Sequence, residues 1–193
     1  MRRSQRKAVW GVGLGLVLAT TAVGLAVGQR PSEPAGAGSE SEVRIGIRIS
    51  PVPLSLVGRN RALVGKGSYL VNAVGSCNDC HTCPSFAPGH NPYFGGDGQI
   101  NAENYLAGGL RFGPFVSRNL TPAPNGLPAG RTLDEFMQIL RTGHEPGNPD
   151  AVLQVMPWPV LRNMTDHDLA AIYEFLSAIP PAPPGNACSG PGE

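Results

Sequence analysis

The densest chemistry in the sequence lies at Cys77-Asn78-Asp79-Cys80-His81. Two thiols stand one helical turn apart, and an imidazole follows directly. C-x-x-C-H is the spacing at which c-type haem is attached. The thiols meet the two vinyl groups on one edge of the porphyrin and form thioethers, and the histidine reaches the iron. This assigns Cys77, Cys80 and His81 to cofactor binding and His81 to the metal.

A six-coordinate iron needs a second axial ligand from a distant loop. After residue 1 the methionines are Met137, Met156 and Met164. Met137 lies in the apolar stripe of an expected helix, where core packing explains it. Met164 precedes a helix cap, the position of a hydrophobic staple. Met156 lies in Leu153-Gln154-Val155-Met156-Pro157-Trp158-Pro159, a proline-stiffened loop suited to holding a ligand at a fixed distance. Met156 is therefore the expected second metal ligand. His144, in Gly143-His144-Glu145-Pro146-Gly147, is its rival, although a loop histidine at a helix C-terminus needs no metal to explain it. His90 and His167 read as surface residues.

Three helices are expected to position these groups. Residues 60–75 form the first, with Leu63, Leu70, Val71 and Val74 available for burial. The second runs from a capping box at Thr132 and Glu135 to a stop at Gly143, with Leu133, Phe136, Met137 and Leu140 on one face. The third opens at Thr165, where Asp166 and Asp168 meet the positive end of the dipole, and ends at Pro180-Pro181. It repeats the spacing at Leu169, Ile172, Tyr173 and Leu176. The period-2 run Val43–Ile49 reads as a short strand or extended arm. Residues 82–130 show no long periodicity beyond one short helix around 101–107, so something other than secondary structure must organise them.

The chain has 193 residues, enough for one ordinary domain plus extras. Its 26 glycines and 20 prolines predict long irregular loops around a folded core. Residues 1–7 are basic and residues 8–28 carry no charge. That pattern is either a secretory signal, cleaved before Gln29, or a retained anchor, since 21 residues at about 1.5 Å each span a bilayer. Both readings export the rest. Residues 31–42 are small, polar and acidic, the composition of a linker. Without residues 1–28 the chain has 11 basic and 14 acidic residues, a net charge of −3. No basic patch remains for nucleic acid, and four cysteines are too few for a disulfide-dense scaffold.

Gly67-Ser68-Tyr69-Leu70-Val71 leads into the C-x-x-C-H motif. Arg118-Asn119-Leu120-Thr121-Pro122, Met156-Pro157-Trp158, Met164-Thr165-Asp166 and the closing run Leu169–Ile179 follow. In these segments the chain resembles class I c-type cytochromes, and in particular the haem domains of cytochrome c subunits of bacterial membrane-bound dehydrogenases. The resemblance covers about residues 60–181 and implies an all-α class I cytochrome c fold wrapped around one haem c. It also implies that Gly65 and Tyr69 cross Leu169 and Tyr173, and that Arg118, Asn119 and Trp158 lie near the haem propionates. The single C-x-x-C-H departs from those subunits, which typically carry several. With Cys77 and Cys80 holding haem, one pair remains for an oxidising compartment, so a Cys83–Cys188 disulfide is expected. A competing use of the same sulfurs exists. Cys77-x-x-Cys80-x-x-Cys83-Pro84, with Cys188 as a remote fourth ligand, also resembles a ferredoxin cluster run. That use leaves His81 and Met156 without a purpose.

The expected organisation is a signal or anchor at 1–28, a linker and arm at 29–58, a monohaem domain at 59–181 and a Pro/Gly-rich tail at 182–193. The expected function is that of a periplasmic one-electron carrier, not an enzyme, with His81 and Met156 as axial ligands. Methionine ligation raises the reduction potential relative to a second histidine. Redox proteins are its partners, such as a membrane-bound dehydrogenase or a terminal oxidase, with membrane contact through residues 8–28. The alternatives are a haem enzyme or gas sensor with an open distal face, and a dedicated subunit of a dehydrogenase complex.

Overall fold

The computed structural model describes residues 40–186, 188 and 189. The signal or anchor at 1–28 lies outside them. All the described residues belong to one compact unit, Glu33–Glu193. Among them no helix is long and apolar enough to cross a membrane.

The expected arm is a helix, α1 (Glu40–Ile49), which also takes in the end of the acidic linker. Its alternation suggests a strand, yet Val43, Gly46 and Ile47 also share one helical face, with Arg44 and Arg48 turned outward. A tertiary partner decides between the two periods. α2 (Arg61–Tyr69) lies so close that a β-carbon on Gly46 would strike the Gly65 carbonyl. A β-carbon on Gly65 would in turn strike Val43. Ser68 Oγ donates to the Gly46 carbonyl at 2.7 Å, and the Lys66 ammonium reaches Glu42 at 2.8 Å.

Asn60 caps α2, its Oδ1 accepting the amides of Ala62 and Leu63. The helix continues as a π turn through Leu70–Val74 and then meets α3 (Cys77–His81). The wider turn shifts the phase of the apolar face, so Leu70 and Val71 are buried while Val74, expected in the core, is 59% exposed.

α4 (Leu133–Thr142) carries the expected capping box between Thr132 and Glu135, and Gly143 ends it at φ 74°. Of its stripe only Leu140 is buried; Leu133, Phe136 and Met137 are half-buried. Met137 is therefore less enclosed than core packing predicts. α5 (Trp158–Leu161) is one turn long. α6 (Asp166–Ala178) starts at Thr165, whose hydroxyl accepts the Asp168 amide.

The main core forms where α6 crosses α2. The crossing glycine is Gly67, where a β-carbon would collide with the Ala171 carbonyl and with Phe175. Gly65, expected in that role, serves α1 instead. Leu169, Phe175, Leu176, Val64 and Val71 are buried around the crossing, each contributing about 1.5–3 kcal/mol by leaving water.

The expectation of an all-α fold needs one correction: the domain is mostly helical with a few short strands. β1 (Leu110–Phe112) pairs antiparallel with β2 (Phe115–Val116) and parallel with β5 (Cys188–Ser189). β3 (His144–Glu145) and β4 (Asn148–Val152) form a hairpin between α4 and α5. Residues 101–107 form turns, not the expected helix. Tyr105, Leu106 and Ala107 are buried there, and long-range hydrogen bonds hold them in place of a local helix.

Candidate functional site

α3 is a single turn, entered through Ser76 in the left-handed region at φ 48°. It presents Cys77 and Cys80 as free, half-buried thiols. Burial raises the Cys77 thiol to about 11. Burial, reinforced by the Asp79 carboxylate, also raises Cys80. Both sulfurs are therefore protonated and neutral at physiological pH.

His81 is buried, and burial lowers its pKa below the ordinary histidine value. Its Nδ1 lies 2.8 Å from the Arg118 carbonyl. A carbonyl only accepts, so Nδ1 carries the proton and Nε2 keeps its lone pair. This is the arrangement in which a histidine serves as a metal ligand, its second nitrogen fixed by an outer partner.

The loop beyond α3 is sewn to it by backbone groups. Gly108 N donates to the His81 carbonyl at 2.7 Å, and Leu120 N to the Leu106 carbonyl at 2.8 Å. Thr82 Oγ1 accepts the Leu106 amide at 2.9 Å. Tyr105 donates to Asn72, and Asn72 to Ser68, joining this loop to α2.

The Cys83–Cys188 disulfide is present, bridging residues 105 apart in sequence. It draws the tail alongside β1 and leaves neither sulfur to ligate a cluster. The ferredoxin-like reading is excluded on that ground.

Asn119 acts as a clip: its Nδ2 donates to the Ala182 carbonyl at 2.9 Å, and its Oδ1 accepts the Thr121 amide and hydroxyl, each at 2.8 Å. The Arg118 guanidinium pairs with Glu145 at 2.5 Å, and the other Glu145 oxygen takes Arg131 at 2.5 Å. Trp158 lies against Gly143, where a β-carbon would run into its ring, and the Arg162 guanidinium sits 6.0 Å from the ring centroid.

Met156 is half-buried between two tight turns. Its amide donates to the Gln154 carbonyl at 2.7 Å, and its own carbonyl accepts from Trp158 N at 2.8 Å. These are γ-turns centred on Val155, at φ 69°, and on Pro157. Met164 packs against the hydrophobic core, as expected of a staple. His144 is half-buried on β3. His90 pairs with Asp97 at 2.7 Å, and His167 is exposed.

Arg131, Glu145, Thr82 and Tyr105 escape sequence reasoning. Thr82 directly follows the C-x-x-C-H motif and Glu145 stands beside His144, but none of the four has a spacing signature.

A small, mostly helical domain presenting two thiols and an oriented imidazole on one turn is similar to the c-type cytochromes. More particularly, the chain is a distant homologue of cytochrome c subunits of bacterial dehydrogenases. It is 30% identical over 128 residues to the gluconate 2-dehydrogenase cytochrome c subunit of Pantoea cypripedii, covering 66% of this chain and 26% of that one. It is 30% identical over 117 residues to the cytochrome c subunit of the quinone alcohol dehydrogenase of Gluconobacter oxydans (strain 621H), covering 61% and 21%. The fructose dehydrogenase cytochrome subunit of Gluconobacter japonicus is 27% identical over 130 residues, 67% of this chain and 24% of that one. The matched region is thus about a quarter of each relative's length. No family model matches the chain, and no solved structure does.

Proposed function

We propose that this chain is a monohaem c-type cytochrome of the class I fold that passes one electron at a time in the periplasm. The haem domain is 59–181, to which α1 adds a further helix. Residues 1–28 export or anchor it, and residues 182–193 form a tail pinned by the disulfide. One observation carries the reading: His81 donates from Nδ1 to the Arg118 carbonyl on the same turn that offers two free thiols. That donor set fits a covalent haem. Cys77 and Cys80 would hold it as thioethers, His81 through Nε2 and Met156 through its thioether sulfur.

The bound group supplies a one-electron Fe(II)/Fe(III) couple. The chain supplies everything else. The Arg118 carbonyl fixes the imidazole tautomer and makes the ring a stronger donor. The paired γ-turns restrict where the Met156 side chain can go.

The relatives are all named as subunits of dehydrogenases, which favours a more specific version: a dedicated electron-transfer subunit receiving electrons from a dehydrogenase partner. Co-purification with such a partner from membranes would support it, and isolation of a partner-free protein would favour a free carrier.

The test of the core proposal is the visible spectrum of the exported protein, reduced and oxidised, with and without CO. Sharp low-spin c-type bands indifferent to CO are expected. Met156→Ala should keep the covalent haem but become CO-sensitive. If the parent binds CO, the open-face reading replaces electron transfer. If the variant keeps a methionine–iron spectrum, the ligand lies elsewhere.

A further inference from the structure

Residues 84–100 form a loop that orders itself without burying its tip. Phe86 and Ile100 bridge its base as an antiparallel pair, and Asn101 Nδ2 donates to the Pro84 carbonyl at 3.0 Å. Farther out, Ala87 N donates to the Gln99 carbonyl and Gly98 N to the His90 carbonyl, each at 2.9 Å. His90 Nδ1 and the Asp97 carboxylate meet at 2.7 Å. At the tip, Asn91 Oδ1 accepts the Tyr93 amide at 3.0 Å and opens a short 3₁₀ turn, Pro92–Phe94.

That turn leaves Tyr93 81% and Phe94 80% exposed. Two neighbouring aromatic rings therefore stand in water on a backbone that is already fixed. Single exposed apolar residues need no explanation, but an aromatic pair on a prearranged turn has the make-up of an interface hot spot. Rings with only two side-chain torsions also lose little entropy on being covered.

The base of the loop is tied to the candidate site. Asn78, between the two thiols, donates to the Ser85 carbonyl at 3.4 Å, and Ser85 Oγ donates to the Thr82 carbonyl at 3.3 Å. Phe86 comes next, and its ring meets that of Tyr93 edge-on, with centroids 6.5 Å apart. The disulfide at Cys83 pins the chain immediately before the loop. A protein covering Tyr93 and Phe94 is thereby held on the side of the molecule that carries the Cys77–His81 turn.

Area and charge define the occupant. Two covered rings bury about 300–500 Å² on this side, short of the roughly 800 Å² per partner that a stable complex such as a homodimer takes. A brief redox encounter, with less than about 1,200 Å² in total, is the class that fits. Asp97 is the one carboxylate of the loop, His90 answers it, and no lysine or arginine is present. The matching face is therefore apolar and uncharged, and salt has little charge to screen there.

We infer that Tyr93 and Phe94 form the docking contact for a redox-partner protein that meets them with an apolar, uncharged face. The inference rests on the electron-carrier reading above and names the surface through which that carrier meets its partner.

The experiment uses the haem-loaded exported protein, and covalent haem staining on a denaturing gel comes first. A parent without haem overturns the electron-carrier reading and this inference with it. With haem attached, the protein is mixed with membranes from a strain of its own host that lacks this chain. Haem reduction under nitrogen with the growth substrate and reoxidation in air are both followed. Tyr93→Ser combined with Phe94→Ser should slow exchange about tenfold or more in at least one direction, at low and high salt alike. Hexaammineruthenium, a small reagent that needs no docking, should react equally fast with parent and variant. Parent-like rates with membranes in both directions overturn the inference and leave the electron-carrier reading standing. A matching loss with the ruthenium reagent also overturns it, because the haem and not the docking has then changed. Protein-free vesicles of phosphatidylethanolamine and phosphatidylglycerol that bind the parent about tenfold more tightly than the variant make the loop a lipid contact, which again overturns it. Should the double variant fail to load haem, Phe94→Ser alone keeps the Phe86–Tyr93 contact and is read by the same criteria.

Discussion

Thr82 is fully buried, and its hydroxyl accepts the Leu106 amide immediately beside the C-x-x-C-H turn. Removing the acceptor while keeping the shape isolates that bond. Thr82→Val should destabilise the protein by about 1–3 kcal/mol, the cost of a buried amide left unpaired, read as a lower denaturant midpoint with an unchanged slope. A midpoint equal to the parent's would mean that the loop is held by other contacts. The residue scale also separates two jobs at Arg118. The proton on His81 is directed by its carbonyl, whereas its guanidinium serves Glu145. The first job belongs to the backbone and survives any side chain; the second needs arginine. Cys77, Cys80 and His81 were legible at this scale because three reactive types in a five-residue pattern are a local signal. Arg131 and Glu145 were not, because two residues fourteen apart show no pattern until the α4–β3 turn brings them together.

At the scale of elements, glycines determine which helices touch. Gly67 places α2 directly against the Ala171 carbonyl of α6. Backbone cannot yield as a flexible side chain can, so Gly67→Ala should cost about 3 kcal/mol or more. Thermal unfolding checks this, and a Tm within a degree or two of the parent would show that the helices separate freely. Lys66 adds an electrostatic tie between α1 and α6. Burial alone pulls its pKa down, but the Glu42 and Asp168 carboxylates outweigh that and leave it raised. A raised folded-state pKa stabilises fully below the ordinary lysine value and is lost as pH rises through the folded one. Stability should therefore decline in strongly alkaline solution, and Lys66→Met should flatten that part of the profile. Identical alkaline profiles for parent and variant would remove the lysine from the account. α1 itself shows how a short run misleads. Seven residues of alternating type satisfy two periods at once, and only the packing of Gly46 on Gly65 chooses between them.

At the scale of the whole molecule, the disulfide does what long-range secondary structure does elsewhere. It joins the residue two past the site histidine to the far tail, closing 105 residues of separation. Around it, β5 runs parallel to β1, and Asn119 and Thr121 grip Ala182. Cys188→Ser should lower stability by about 2–5 kcal/mol, the range for removing a native cross-link, and expose one additional thiol in the unfolded protein. Thiol counting under denaturing, non-reducing conditions is the check. Two extra reactive thiols in the parent would mean that Cys83 and Cys188 are not joined.

The sequence alone determined the caps of α4 and α6, the apolar face of α6, and the pairing of the two cysteines outside the C-x-x-C-H motif. Those features depend on near neighbours along the chain or on the small number of sulfurs available. Tertiary structure alone decided that residues 43–49 are helical, that Gly67 is the crossing glycine and that Val74 faces outward. It also decided which carbonyl orients His81, and that a carboxylate gathers two arginines beside the methionine loop. These outcomes depend on groups far apart in sequence whose backbones approach closely or whose charges meet. Their free energy is realised only once the chain has folded back on itself.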